Sequence, residues 1–180
     1  HAAALKPNLW TLALITDKLI VNFRDPRQAL ISWVYYMEYI RFTGNISGLM
    51  EYQFPDGYFQ WSLEKKIDWQ IENYFIPVNL EWIKGWLKAD EDPEFPCEIL
   101  FTQHEVLAMN PRKYFQQILS FYGLSEEKFI FPLEPQFKTK THKRKGATDE
   151  WRQVLSREQV QKINEVIQKE WFERFNWPNF

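Results

Sequence analysis

The apolar and polar positions of the 180-residue chain follow two kinds of pattern. Continuous apolar runs at 18–23 (KLIVNF) and 97–102 (CEILFT) have the length of buried strands. Each run is followed by a helical spacing of apolar residues, behind Pro26 in one case and behind Pro111 in the other. Proline is favoured at the first position of a helix, so both helices are predicted to begin there. Two strand-then-helix units predict the α/β class with a mostly parallel sheet.

The rest of the pattern predicts further helices and two irregular stretches. The helices are 5–16, 63–87 with an interruption at Pro77, a short one behind Ser125, and a long one over 156–175. The irregular stretches are an insertion at about 43–61, rich in glycine and aromatic residues, and a basic loop at about 138–146. We expect residues 1–180 to form a single domain.

Composition narrows the classes of function. Nine Trp and fifteen Phe leave two interpretations open. Either the rings only build the core, or they build the core and also line a pocket for an apolar or ring-shaped ligand. A net charge of −2 argues against a globally basic nucleic-acid binder. Cys97 is the only cysteine and the histidines lack ligand spacing, so we expect no disulfide, no metal centre, and a reducing, cytoplasmic location. No apolar run approaches the ~20 residues that span a bilayer.

A charged corner lies within LIVNFRDPRQALISW, residues 19–33. Arg24 stands where the predicted strand ends, and Ser32 lies on the second turn of the next helix. The carboxyl ends of parallel strands form the ligand edge of a sheet, and a helix start favours an anion such as phosphate. Two interpretations are open from geometry alone. Either Arg24 and Ser32 bind one phosphate, or Arg24 pairs with Asp25 or another acid and Ser32 is merely small.

The basic loop KTKTHKRKG, residues 138–146, carries five Lys or Arg residues. Such a run is either a solvated surface loop or a loop that closes over a polyanionic ligand. In the second case Gly146 lets the backbone approach the anion closely. Nucleic acid is a weaker interpretation, because the run is short and the chain is acidic.

Together these segments resemble the sulfotransferases that use 3′-phosphoadenosine 5′-phosphosulfate (PAPS). RDPRQALISW is similar to the family's 3′-phosphate-binding segment, and RKGATDEWR (144–152) resembles its C-terminal Arg-Lys-Gly signature. LFTQHEVLAMNPRKYFQQILSFYGL is similar to the strand, acidic loop and proline-started helix between the two. The order and spacing agree over about residues 18–175. At 149–152 the chain has Asp-Glu-Trp-Arg where the family usually has Gly-Asp-Trp-Lys.

The resemblance implies a P-loop-NTPase-like three-layer sandwich of the sulfotransferase type. It assigns five residues to the 3′-phosphate of PAPS and of its product PAP, without a metal: Arg24, Ser32, Arg144, Lys145 and Gly146. The implied reaction is sulfuryl transfer to a hydroxyl or amine of a small-molecule, lipid or carbohydrate acceptor. We expect the aromatic stretch 49–61, together with Trp82 and Trp86, to contact that acceptor.

The resemblance departs from the family at its start, where sulfotransferases carry a Ser-Gly-Thr-type loop for the 5′-phosphosulfate. Neither Ser-Gly-Thr nor Gly-Lys-Ser/Thr occurs here, so we expect an N-terminally incomplete fold with little activity of its own. His1, 23 residues before Arg24, is either the catalytic base or an artificial terminal residue. The alternative function is a non-catalytic nucleotide-binding or interaction module derived from this fold. A P-loop kinase relative is the weaker alternative.

Overall fold

The computed structural model describes residues 3–44, 54–131 and 147–179. Within them, strands β1 (Lys18–Phe23) and β2 (Glu98–Gln103) pair in parallel. The register places Lys18 opposite Glu98 and Phe23 opposite Gln103. Most of the remaining elements are helices. The predicted α/β class with a parallel sheet is therefore confirmed, although the sheet of the described residues is small.

Among the described residues, one helix precedes β1, three lie between β1 and β2, and five follow β2. Their bounds are α1 (Lys6–Ile15), α2 (Pro26–Phe42), α3 (Leu63–Asn73), α4 (Phe75–Glu91), α5 (His104–Met109), α6 (Pro111–Phe121), α7 (Trp151–Val154), α8 (Arg157–Val166) and α9 (Lys169–Arg174). Short 3₁₀ turns cover Tyr58–Gln60 and Glu126–Lys128. In the part of the chain that the structure describes, no helix is both long enough and apolar enough to cross a bilayer.

Several predicted helix boundaries are confirmed by their caps. The Asp25 carboxylate caps α2, and Pro26 occupies its first position. Ser156 and Gln159 form the predicted capping box at the start of α8. Gly123 follows α6 with a φ of 66°, a conformation that favours glycine. The side chains of Asp25, Ser156 and Gln159 bind backbone groups that a helix end leaves without partners. The local sequence therefore determines these boundaries.

Three predicted boundaries were wrong. The interruption expected at Pro77 lies at Tyr74 (φ −143°, ψ −77°), and Pro77 falls in the first turn of α4, where proline is tolerated. The long helix expected over 156–175 is interrupted at Ile167, which is extended and buried. The acidic loop expected between β2 and Pro111 is mostly helix α5.

The chain divides into two compact units, each made of two separate stretches. The first unit comprises His1–Arg24 and Glu81–Thr148, and it contains the sheet. The second comprises Asp25–Leu80 and Asp149–Phe180, and it contains α2 and the C-terminal helices. The single domain over 1–180 stays a prediction.

Aromatic packing surrounds β1 in the first unit. The ring of Phe23 stacks on Phe101 at 5.2 Å and meets the edge of Trp82 at 5.4 Å. Trp86 is also buried in this unit. Rings of this size each bury about 150–250 Å², so they dominate the packing that fixes the strand. Trp82 therefore contributes to the core of the first unit, whatever it does for a ligand.

The second unit buries one face of α2 and, from the described part of the predicted insertion, the side chain of Tyr58. Residues 45–53 lie outside the described residues. Tyr58 is 1% exposed, with its ring 4.6 Å from that of Phe54, and its hydroxyl accepts a hydrogen bond from Gln70 Nε2 at 2.9 Å. Burial raises the pKa of Tyr58, and the nearby Glu38 carboxylate raises it further. Tyr58 is thus a core residue of the second unit.

Candidate functional site

The carboxyl ends of β1 and β2 lie at the same edge of the sheet. Because Phe23 is paired with Gln103, the next residues along the two strands are Arg24 and His104. An arginine and a histidine therefore follow neighbouring parallel strands at the edge where α/β folds bind ligands. Arg24 was predicted as a site residue. His104 was missed, although its place directly after the second predicted strand was a usable signal.

Arg24 is half-buried and reaches a residue far along the chain. Its Nη2 atom donates a hydrogen bond to the backbone carbonyl of Ala147 at 3.2 Å. Ala147 directly follows Gly146, which closes the Arg-Lys-Gly signature. The strand-end arginine is therefore in contact with the residue immediately downstream of that signature, across 123 positions of sequence.

His104 lies close enough to Arg24 for its titration to be affected. Burial lowers the pKa of His104 below its ordinary value of 6.5, and the positive charge of Arg24 lowers this pKa further. Both effects disfavour the imidazolium form. At neutral pH the edge of the sheet therefore presents a neutral imidazole beside a guanidinium.

This pKa shift predicts a dependence of stability on pH. The unfolded chain binds a proton at His104 more readily than the folded chain, so the contribution is complete above the unfolded pKa of about 6.5 and is lost as pH falls through the lower folded pKa. We expect His104→Gln to lose less stability than wild type between pH 7.5 and 5.5. Urea unfolding of both proteins at the two pH values measures these losses. The difference between the loss of wild type and that of the variant removes the contribution of the carboxylates that both proteins share. Equal losses would show that folding does not lower the pKa of His104.

A polar cluster joins the two strands one residue before this edge. Asn22 Nδ2 donates to Thr102 Oγ1 at 3.0 Å and to the hydroxyl of Tyr114 at 3.0 Å. Asn22 and Thr102 are paired in the register, and Tyr114 lies on α6. These part-buried hydrogen bonds therefore tie β1, β2 and α6 together near the ends of the strands. Paired polar residues inside two apolar runs were the sequence signal for this cluster.

The second arginine of the charged corner belongs to the second unit and has a structural role. Arg27 is 0% exposed and forms a bidentate ion pair with Asp25: Nε donates to Oδ1 at 2.9 Å and Nη2 to Oδ2 at 2.7 Å. Its Nη1 atom donates to Asn164 Oδ1 at 3.1 Å and to the carbonyl of Pro178 at 2.8 Å. Every guanidinium nitrogen of Arg27 thus contacts a protein oxygen.

Ser32 lies on the second turn of α2 and is half-buried. It belongs to the second unit, whereas Arg24 ends the first unit. The other predicted site residues, His1, Arg144, Lys145 and Gly146, lie outside the described residues. Their roles therefore stay predictions. Among the residues described, no group of three or more His, Cys, Asp or Glu side chains is arranged to hold a metal ion.

A family model described as the sulfotransferase domain matches residues 1–176. The chain belongs to the sulfotransferase family. This confirms the family predicted from the motifs around Arg24 and Gly146. No curated protein and no solved structure matches the chain. Membership of this family makes the chain a transferase domain, with sulfuryl transfer as the family chemistry.

The sulfotransferase signature departs from its usual form at 149–152, and the backbone shows why this is tolerated. Asp149 stands where the family has glycine, yet among the described residues only Asn176 is a non-glycine with positive φ. Glu150 has right-handed helical angles (φ −59°, ψ −28°) and leads into α7. This turn therefore does not need a glycine. Trp151 keeps the family tryptophan and is buried.

Proposed function

We propose that this chain carries the 3′-phosphate site of a PAPS-dependent sulfotransferase. The observation that supports the site is the hydrogen bond from Arg24 to the carbonyl of Ala147. This hydrogen bond joins Arg24, in the first motif of the resemblance, to the residue that follows Gly146 in the second motif. Membership of the sulfotransferase family supports the chemistry. The proposed site therefore rests on two motifs that are distant in sequence, and on the hydrogen bond that Arg24 makes to the residue after Gly146.

The residue types in these motifs suit a phosphate dianion. A guanidinium such as that of Arg24 offers five N–H donors in a planar fork, which matches phosphate oxygens. Arg144 and Lys145 add two positive charges, and Gly146 allows close approach of the backbone. The hydroxyl of Ser32 is assigned to the same phosphate by the family resemblance alone.

The proposed reaction is an in-line transfer. The bond between sulfur and the bridging phosphate oxygen of PAPS breaks, a bond forms between sulfur and the acceptor oxygen or nitrogen, and PAP leaves. A base takes the acceptor proton, and His1 is the candidate for that base. Cationic side chains and backbone N–H groups stabilise the charge on the sulfuryl oxygens and on the leaving phosphate, as in phosphoryl transfer.

The remaining features of the proposal come from the family. They are a three-layer, P-loop-NTPase-like sandwich, a small-molecule, lipid or carbohydrate acceptor, and no nucleic-acid partner. The stretch 49–61 is proposed to face the acceptor. Within it, the side chain of Tyr58 is buried in the core of the second unit. A cytoplasmic location stays a prediction that rests on the single cysteine, Cys97.

The first experiment compares two nucleotides that differ only in the 3′-phosphate. In calorimetric titrations of this chain, we expect 3′-phosphoadenosine 5′-phosphate (PAP) to bind at least about tenfold more tightly than AMP, because a charge-assisted hydrogen bond contributes about 1.5–3 kcal/mol. Equal affinities would show that there is no 3′-phosphate site. PAP binding without release of PAP from PAPS, over a panel of phenol, sugar and lipid acceptors, would favour the non-catalytic nucleotide-binding module.

A further inference from the structure

Side chains at the carboxyl ends of β1 and β2 meet across the two strands, within the first unit. Asn22 and Thr102 are partners in the register, and their side chains form a 3.0 Å hydrogen bond. Arg24 and His104 stand two residues further along, at the positions that continue this pattern, since every second side chain of a strand lies on the same face. The charge of Arg24 acts on the imidazole of His104, so the two side chains are neighbours at the ligand edge of the sheet.

The surroundings of His104 favour its neutral form. His104 is half-buried, and burial together with the charge of Arg24 lowers its pKa. Lys18 and Glu98 pair with each other at the opposite end of the two strands. The titratable groups on α5 and on the described elements around it are Glu105 on α5, Lys18 on β1, Glu98 on β2, and Arg112, Lys113 and Tyr114 on α6. Arg24 is the charged group that acts on the pKa of His104.

A phosphate group bound at Arg24 reverses this preference. An opposite charge within about 4–6 Å favours the charged form of a titratable group, and a phosphate dianion carries two such charges. The imidazolium that forms has N–H donors on both ring nitrogens, and one of them can donate a charge-assisted hydrogen bond to a phosphate oxygen. Because coupling between two ligands is reciprocal, the proton on His104 then increases the affinity for the phosphate by the same factor.

We propose that His104 is a second phosphate-binding residue of this sulfotransferase, which accepts a proton from solvent as the 3′-phosphate of PAP or PAPS binds beside Arg24. The proton stays on the imidazole while the nucleotide is bound and returns to solvent when the nucleotide leaves. Arg24 thus supplies a permanent positive charge, and His104 supplies one that is present only with the ligand. This inference rests on the proposed function, because it takes the ligand of Arg24 to be the 3′-phosphate.

The test counts the protons that are taken up when PAP binds, by calorimetric titration in two buffers of different ionisation enthalpy. At pH 6.5 we expect wild type to take up about half a proton more than His104→Gln, because glutamine is polar but cannot be protonated. The difference removes the protons that the phosphate itself exchanges, which are the same for both proteins. His104→Gln should also lower the ratio Kd(AMP)/Kd(PAP) about three- to tenfold at pH 6.5, and less than about twofold at pH 8.5.

The matched control is Tyr114→Phe, in the polar cluster beside His104. This variant removes the hydroxyl that accepts a hydrogen bond from Asn22 Nδ2 at 3.0 Å, and it keeps the imidazole. We expect it to lower the free energy of unfolding and to leave the proton uptake unchanged. Equal losses of proton uptake in Tyr114→Phe and His104→Gln overturn the assignment to His104. An uptake that is the same in wild type and His104→Gln also overturns it.

A measurement on the wild type keeps the test decisive if His104→Gln does not fold. The imidazole signal of His104 is followed by NMR as a function of pH, without nucleotide, with saturating AMP and with saturating PAP. We expect the pKa of His104 to be higher with PAP than with AMP. Equal pKa values with the two nucleotides, in a chain that prefers PAP, overturn the role of His104 and leave the proposed function standing. A wild type without preference for PAP overturns both proposals.

Discussion

Arg24→Ala is expected to weaken the binding of PAP about ten- to a hundredfold while leaving the affinity for AMP nearly unchanged. The reason is that a hydrogen bond to a charged group contributes about 1.5–3 kcal/mol. AMP has no 3′-phosphate, so its binding does not include this hydrogen bond. The substitution also removes the contact with the Ala147 carbonyl, which holds the residue next to Gly146. Calorimetric titration of both nucleotides into the wild type and the variant measures the effect.

The control for Arg24→Ala is another arginine of the same unit. Arg112 stands at the start of α6 with a side chain that is 70% exposed, in a 3.7 Å ion pair with Glu126. Arg112→Ala removes the same charge from a solvent-exposed position, so it should change the affinity for PAP less than about twofold at 0.15 M salt, where long-range charges are screened. If Arg112→Ala lowers the affinity for PAP as much as Arg24→Ala does, the effect is one of net charge. If Arg24→Ala lowers the affinities for AMP and PAP equally, Arg24 does not bind the 3′-phosphate.

Arg27→Met is expected to cost about 3–5 kcal/mol of unfolding free energy, the typical effect of removing one partner of a buried ion pair. The Asp25 carboxylate, 2% exposed, then loses the guanidinium that neutralises it. Asn164 Oδ1 and the Pro178 carbonyl lose a donor at the same time. Urea unfolding followed by tryptophan fluorescence measures the loss.

A second substitution separates the charge from the packing of Arg27. Asp25→Asn keeps an oxygen that can cap α2 but removes the negative charge, so Asp25→Asn/Arg27→Met should be more stable than Arg27→Met alone. The exposed pair of Lys162 with Glu72 provides the comparison, since Lys162→Met should cost less than about 1 kcal/mol. A double variant no more stable than Arg27→Met would mean that the buried charge of Asp25 is not the source of the loss.

Local sequence was sufficient for the features that neighbouring residues determine. The start of α2 follows from Asp25 and Pro26, and the capping box of α8 from Ser156 and Gln159, because each cap is made within a few residues. The strands followed from apolar runs, and β1 was predicted with its observed bounds. Arg24 was found as a site candidate because its position at a strand end is itself a local property.

The wrong predictions arose where distant residues decide the backbone. Ile167 is neither glycine nor proline, yet burial of its side chain in an extended conformation ends α8. Helix α5 starts without a side-chain cap and has no buried residue. The sequence therefore offers neither a capping residue nor a helical spacing of apolar residues that would predict it. In the second unit, the backbone N–H of Trp151 donates to Gln28 Oε1 across 123 positions, and no local pattern predicts such a pairing.

The contacts of Arg27 also set an order of events during synthesis. Its pair with Asp25 joins residues two apart and can form as soon as the start of α2 leaves the ribosome. Trp151, Asn164 and Pro178 are made more than 120 residues later, and domains fold as their parts are synthesised. Until then the residues that cover the guanidinium in the folded unit have not been made. The second unit can therefore reach its final stability only after the stretch Asp149–Phe180 has been synthesised.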